Sequence, residues 1–368
     1  MSKFSLIRYD PAYKPLIAEI MRKLWSQDSA INKQYFEWKH EKNPFIESPI
    51  AYLALKGEEL IGFRAYFGID FRDPISDERL PALVSADSFI SEPYRVSGLY
   101  TALNRYSIKD LQNTGKYKYF LYLSSSKRAE PIFLSSGAKI VAAIETAHWY
   151  KRGYQVRMLS RRLLRKVTRW STTAEDAEPF SALEENASQS TTIELTNKPD
   201  IPAMIVLLEQ NHNERKPISH RRSKTYLEWR FNNPLSQYRF LFSKENGNYT
   251  GYLALQAFAT NPVTIRVVDY SVQHTEVFRT LVNFVTKNSH AENICMWTVT
   301  KPQEIKNALV DLGFIFPHGK TRPGYPEDLA FMVRPITIKP RPDSWRYGER
   351  ELLDINNWDL NWIYSDGI

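Results

Sequence analysis

One phrase occurs twice in this chain. Residues 35–44 read YFEWKHEKNP and residues 226–234 read YLEWRFNNP, the same string with one residue missing. A string recurring half a chain apart marks an internal duplication, so the fold must be assembled from two similar units. At 368 residues the chain has room for two to three domains of ~150 residues each. Each copy follows an amphipathic, helix-like stretch, Pro11–Trp25 in the first and Asp200–Arg215 in the second, and each precedes a β-hairpin. The hairpins read AYLALKGEELIGFRAYFGI, turning at Gly57-Glu58-Glu59, and YRFLFSKENGNYTGYLALQAF, turning at Asn246-Gly247-Asn248. Gly62 and Gly251 hold matching places in the second strand of each.

Beyond the hairpins both halves continue as strand, helix, strand, helix, strand. The first-half segments are Leu80–Ser91, Leu99–Asn113, Tyr119–Ser124, Lys127–Ser136 and Ile140–Tyr150; those of the second are Val263–Val272, Thr275–Asn288, Asn293–Val299, Gln303–Leu312 and Ala330–Val333. Helix Leu99–Asn113 carries Leu99, Ala102, Leu103, Tyr106 and Leu111 on a 3.6-residue stripe. Alternating strands and helices predict an α/β fold with a mixed sheet covered by helices, built twice. The expected units are 1–152 and 191–335, joined through 153–190 and followed by a tail, 336–368, that docks on the domain surface.

The joining segment has two parts. Between Lys151 and Trp170 lie eight basic residues and no acid, which equals the whole formal net charge of +8. The remainder is balanced, so a surface that coats nucleic acid is not expected. As a helix this stretch puts Val156, Leu159, Leu163, Val167 and Trp170 on one face, suited to a connector or to peripheral contact with an anionic membrane. The Ser/Thr/Ala/Glu-rich run after it reads as a linker. No apolar run is long enough to span a membrane, the first residues lack a secretory h-region, and Cys295 is the only cysteine. A cytoplasmic setting is expected, with Cys295 as a buried filler. The seven histidines show no metal-ligand spacing, and no metal is expected.

The segment richest in chemistry is ALVSADSFISEPYRVSGLYTALNRYS, residues 82–107. A strand runs out near Ser91 into a Pro-Tyr-Arg-Val-Ser-Gly turn, and a helix starts near Leu99. Backbone N–H groups at a helix start point outward, and the helix dipole favours an anion there. Gly98 keeps that approach clear of a side chain, and Arg95 adds a positive charge. Neither a Walker loop nor a GxGxxG fingerprint is present.

Arg95-Val96-Ser97-Gly98-Leu99-Tyr100, in this order of elements, resembles the pyrophosphate signature Arg/Gln-x-x-Gly-x-Gly/Ala of the GNAT superfamily of acyl-CoA-dependent acyltransferases, with Tyr100 replacing the final small residue. The superfamily's next motif resembles Ser126 through Ala138, where Ser126 stands for Asn, Phe133 for Tyr and Ala138 for Phe. The EWK…NP phrase, the run from Asp87 to Arg95 and the tryptophan-rich ending resemble a bacterial subgroup encoded with surface-polysaccharide enzymes.

The resemblance implies two tandem GNAT-like domains and an acyl-CoA co-substrate, acetyl-CoA in the first instance. It implies a small amine acceptor, with an amino sugar or lipid-linked sugar suggested by the subgroup. It assigns Phe89, Ile90 and Ser91 to the pantetheine arm, because the strand before the loop splays from its neighbour. It assigns Arg95, Val96, Ser97, Gly98 and Leu99 to the pyrophosphate, with Ser126 and Phe133 beside the thioester. One backbone N–H there would polarise the carbonyl, and the amine needs a base. Asp87 and Glu92 are the carboxylates to hand, with Glu37 and His40 as outsiders. Strand alternation would group Asp87 with Leu83, Ser85 and Phe89. Glu37 and Trp38 recur as Glu228 and Trp229, which favours a folding role for the phrase. Phe133 cannot protonate a departing thiolate, a task left to Ser126 or water, although a thiol of pKa ~8.5 can leave unassisted.

The second copy is shorter: 75 residues separate Gly62 from Gly137, but 62 separate Gly251 from Gly313. Its turn region, VVDYSVQHTEVFRTL, has neither glycine nor arginine at the turn, so the second unit is expected to be degenerate and to bind no pyrophosphate. Two rival readings use other chemistry: a Fem-type transferase taking aminoacyl-tRNA, and a non-catalytic pseudoenzyme that keeps a pocket.

Overall fold

A computed structural model of the chain describes residues 4–95, 98–125, 127, 129–153, 179–187, 192–210, 217–258, 261–317 and 329–365. The basic stretch from 154 onward, the acidic linker up to 178, and Val96, Ser97 and Ser126 lie outside the described residues. In the first half the elements are β1 (Ser5–Arg8), α1 (Lys14–Ile20), α2 (Ser29–Phe36), β2 (Ile50–Lys56), β3 (Glu59–Gly68), β4 (Phe71–Arg72), β5 (Ala82–Ile90), α3 (Leu99–Thr114), β6 (Tyr119–Ser125), α4 (Glu130–Ser135), β7 (Lys139–Ile144) and β8 (Thr146–Tyr150). The second half supplies α5 (Ser181–Ala187), β9 (Ile193–Thr196), α6 (Ile201–Gln210), β10 (Ser219–His220), α7 (Lys224–Arg230), β11 (Ser236–Glu245), β12 (Asn248–Phe258), β13 (Asn261–Val272), α8 (Thr275–Asn288), β14 (Asn293–Trp297), α9 (Gln303–Asp311) and β15 (Leu329–Pro335).

Two mixed sheets result, ordered β1-β2-β3-β5-β6-β15-β7 and β8-β14-β13-β12-β11-β9. Their order corrects one expectation. Ile140–Tyr150 is not a single strand of the first unit. It breaks at Glu145, and β8 leaves to pair antiparallel with β14, His148 opposite Cys295. In return β15, expected in the second sheet, inserts between β6 and β7 of the first. Ile315 bridges His148 at the outer side of β8, so each sheet receives one strand from the other half, β15 next to the edge of the first and β8 at the edge of the second. A run of alternating apolar residues has the same pattern whichever sheet receives it, so this exchange leaves no local mark.

The repeated phrase sits where the halves meet. Trp38 and Trp229 stack with ring centroids 4.9 Å apart and planes 11° apart. Trp38 Nε1 donates to Trp229 O at 2.6 Å and Trp229 Nε1 donates to Trp38 O at 2.8 Å. A reciprocal pair of bonds is what a pseudo-two-fold axis through the two copies requires, and it accounts for the duplicated tryptophan. The repeated glycines also have a shared cause. A Cβ on Gly62 would come within 3.0 Å of Ile90, and one on Gly251 within 2.8 Å of Val272 and Val277, so each lets the following strand and helix close on the hairpin.

An apolar core runs between the two sheets, from Phe67, Leu121 and Phe331 across to Phe240, Tyr252 and Trp297. Residues of the tail complete it. Trp362 stacks on Trp297, Trp358 sets its ring edge-on to Phe331 and Phe71, and Tyr364 stacks on His220. Cys295 is buried, and burial pushes its thiol up to about 12. No helix among the described residues is long and apolar enough to cross a membrane.

Candidate active site

In the first sheet β5 and β6 run parallel, but pairing covers only Ala82–Val84 with Tyr119–Leu121. Past Val84 β5 continues to Ile90 with β3 on one side and, among the described residues, no strand on the other, while β6 turns to β15. The strands therefore splay, leaving the β6-facing edge of β5 without a ladder partner. Beyond the splay, the chain passes a short turn, Glu92–Tyr94, and enters α3 through Gly98. Gly98 has φ of 75°, and a Cβ there would meet nothing within 4 Å, so the helix start opens on free space. The Arg95 side chain is exposed, its Nε 3.4 Å from Ile90 O. Leu99 is fully buried beneath the turn, against Gly62.

The register slips between Arg64–Ser88 and Tyr66–Ser85, two residues of β5 facing one of β3. This β-bulge at Ala86–Asp87 corrects the strict alternation expected for the strand. Leu83 and Ser85 face α3, whereas Asp87 and Phe89 face α1 and α2. Asp87 Oδ2 lies 2.9 Å from His40 Nε2 and 3.2 Å from Lys39 Nζ, and Oδ1 accepts from Trp25 Nε1 at 2.9 Å. Its side chain and that of His40 have no exposed surface, and Lys39 has 1 %. Burial alone would raise the Asp87 pKa, but the Lys39 charge and the His40 hydrogen bond override it and hold the carboxyl below the usual range. Such a carboxylate is a weak base and an effective anchor. His40 is no freer: burial lowers its pKa, and its Nδ1 lies 3.2 Å from Tyr66 O.

The second half repeats this device. Counting back from the residues paired with the repeated glycines, Ile90 and Val272, Asp87 corresponds to Asp269. Asp269 is also fully buried, binding Arg222 at 2.6 Å and the Tyr252 hydroxyl at 2.7 Å. An aspartate anchored in both halves, where only one has the glycine turn, speaks for a structural role.

The remaining expected residues are spread out. Glu92 is exposed on the turn. Ser91 N–H is taken by Ile61 O at 2.9 Å and its carbonyl by Tyr94 N–H, so it has no backbone donor to spare. Phe89 lies under Lys23, whose Nζ is 5.2 Å from the ring centroid, and Ile90 packs against the Gly62–Leu99 contact. Phe133 stands on α4 with its ring 4.3 Å from that of Tyr122. Glu37 pairs with Lys14 at 3.2 Å, away from Asp87's cluster.

A residue outside the sequence reading dominates the α3 side of the splay. Arg64, on β3, is fully buried and hydrogen-bonds the hydroxyls of Tyr66 and Tyr100, and those of Ser85 and Ser88 at 3.3 Å. An arginine inside the apolar run LIGFRAYF was the signal available. Beside it, between α3 and α4, lies a cleft of about 480 Å³ lined by Tyr100, Asn104, Ile132, Ser135, Ser136 and Arg334. Arg334 comes from the exchanged strand β15, and its Nε donates to Ser136 O at 2.6 Å, so the second half helps to hold α4. Among the described residues no cluster of three or more His, Cys, Asp or Glu is placed to hold a metal.

Splayed parallel strands, a glycine turn into a helix, and the repetition of the unit define a tandem GNAT fold. No family model and no curated protein matches the sequence; the likeness is to solved structures. A probable N-acyltransferase from Enterococcus faecalis V583 superposes with a TM-score of 0.60 at 12% identity, over 91% of this chain and 73% of its own. A tandem GNAT protein from the clavulanic acid biosynthesis pathway does so with a TM-score of 0.52 at 10% identity, over 91% and 99%. Saccharomyces cerevisiae N-myristoyltransferase with bound myristoyl-CoA gives 0.54 at 12% identity, over 90% and 79%.

Proposed function

We propose that the chain is an acyl-CoA-dependent N-acyltransferase, acetyl being the acyl group, with the donor held by the first half alone. The observation that carries this reading is the open turn at Gly98 placed directly beyond a parallel strand pair that parts after Val84. The turn suits a diphosphate, with Arg95 and the first backbone N–H groups of α3 around it. The free edge of β5 suits an extended pantetheine arm, which is polar along its length and needs backbone partners. Val96, Ser97 and Ser126 remain assigned to the donor by resemblance. Fold neighbours that include an N-myristoyltransferase and a probable N-acyltransferase support the class of reaction.

An amine acceptor attacks the thioester carbonyl and must shed a proton. Asp87, anchored on Lys39 and His40, serves to shape the bulge. Glu92, exposed to solvent at the turn, is the expected carboxylate that a proton-carrying water reaches. The amino-sugar acceptor, the cytoplasmic setting and the membrane contact through 153–170 rest on the resemblance and on charge pattern. The test is thiol release from acetyl-CoA with a panel of amines that includes amino sugars. Release that depends on one amine class supports the proposal. CoA binding with no release on any amine would favour the pseudoenzyme, the reading to which Phe133 lends weight.

A further inference from the structure

Arg64 is a charge without a counter-charge. Among the described residues no carboxylate pairs with it, and all four of its hydrogen-bond partners are neutral hydroxyls. The groups around it are Tyr66 on its own strand, Tyr100 on α3, Tyr122 on β6, Phe133 on α4 and Arg334 on β15, which adds to the positive charge. Other buried cations are answered by full or partial negative charge: Lys39 has Asp87, Arg222 has Asp269, and Arg230 and Arg334 have backbone carbonyls, whereas Arg64 has side-chain hydroxyls alone. A guanidinium stays protonated in a protein, so this one holds an uncompensated charge out of water, an arrangement that disfavours folding unless an anion arrives. On the wall of the cleft, Asn104 Oδ1 is buried without a hydrogen-bond partner among the described residues. Native interiors rarely leave such an atom unmatched, and it lies next to a cation that only neutral hydroxyls hold. The second half, which lacks the glycine turn, has Leu253 where Arg64 stands two residues after the repeated glycine, so the fold itself does not require the charge.

Arg64 bridges β5, through Ser85 and Ser88, to the first turn of α3, through Tyr100, and its guanidinium lies 5.8 Å from the Phe133 ring centroid. That places it beside the path of the pantetheine arm, at the bulge. We propose that Arg64 is the electrostatic partner of the leaving sulfur, so that CoA departs as a thiolate ion-paired with the guanidinium. This inference rests on the donor site proposed above. The amine nitrogen forms its bond to the carbonyl carbon, the C–S bond breaks, and its electron pair stays on sulfur against Arg64. The proton of the amine passes to solvent, and the thiolate takes one up after release. No proton donor at Phe133 is then needed.

The test uses the full chain and free CoA. The thiolate absorbance of bound CoA is followed against pH for the wild type, Arg64→Leu and Arg64→Lys. A free thiol titrates near ~8.5, and an adjacent cation lowers that by roughly 1–3 units. A shift of at least about one unit in the wild type, lost in Arg64→Leu and kept in part in Arg64→Lys, supports the assignment. Bound CoA that titrates at its free value in the wild type overturns it and leaves the donor site standing. A shift that survives Arg64→Leu also overturns it. Absence of CoA binding to the wild type overturns both this inference and the function beneath it. The wild-type titration decides the matter even if the leucine variant fails to fold.

Discussion

Replacing Asp87 separates an anchor from a base. Its carboxylate lies within 3.3 Å of three donors, Trp25 Nε1, Lys39 Nζ and His40 Nε2, of which Lys39 and His40 are buried and Trp25 is partly buried. Removing one member of such a buried pair strands the other charge and costs about 3–5 kcal/mol. Asp87→Ala is expected at the upper end. Asp87→Asn, which still accepts one of the bonds, is expected near ~3 kcal/mol by the same reckoning. Guanidinium unfolding followed by tryptophan fluorescence reads this directly. A Lys39→Met change in the Asp87→Asn background should restore much of the loss, because it removes the stranded cation. The carboxyl is depressed in the folded state, so its contribution is complete above the unfolded-state value of ~3.9 and disappears as pH falls through the folded one. The gap between wild type and Asp87→Asn should therefore close in acid. If Asp87→Asn keeps wild-type stability while the rate of acyl transfer collapses and its dependence on pH loses the acidic limb, Asp87 is a base after all.

The tryptophan clasp and one buried histidine give two further tests. Trp38→Ala and Trp229→Ala should each destabilise the chain by about 3–5 kcal/mol. A double-mutant cycle should show coupling of ~1–3 kcal/mol from one stack and two hydrogen bonds; additive losses would mean that the clasp does not couple the halves. Burial lowers the His148 pKa to about 4, against which its contact with Asn293 works only partly. Its ring resonances should stay fixed between pH 5 and 8, and stability should fall as pH drops from ~6.5 toward the folded value, where only the unfolded ring gains a proton. Titration near 6.5 in the native protein would show the ring to be exposed.

The duplication, the α/β class and most element positions were legible because they are written in local pattern: a repeated phrase, two hairpin turns, and a stripe over Leu99–Asn113. What escaped depends on long-range pairing. Strands β8 and β15 read as ordinary strands of their own halves, since alternation fixes a face and says nothing about the partner. The bulge at Ala86–Asp87 turned Asp87 toward Lys39 and His40, which simple alternation could not foresee. A carboxylate also looks the same in sequence whether it takes protons or anchors a lysine. The recurrence of aspartate in VSADSFI and RVVDYSV was the clue to the anchor. Arg64 was visible as a lone charge in an apolar strand, and only the structure shows that no acid answers it.

The donor site is tested most directly by calorimetric titration of acetyl-CoA and CoA into the wild type, Arg95→Ala and Gly98→Asp. The account predicts binding to the wild type, weakening of about tenfold or more in Arg95→Ala, and near abolition in Gly98→Asp, where a carboxylate would stand in the anion's place. Equal affinity in all three proteins would put the cofactor elsewhere and contradict the assignment.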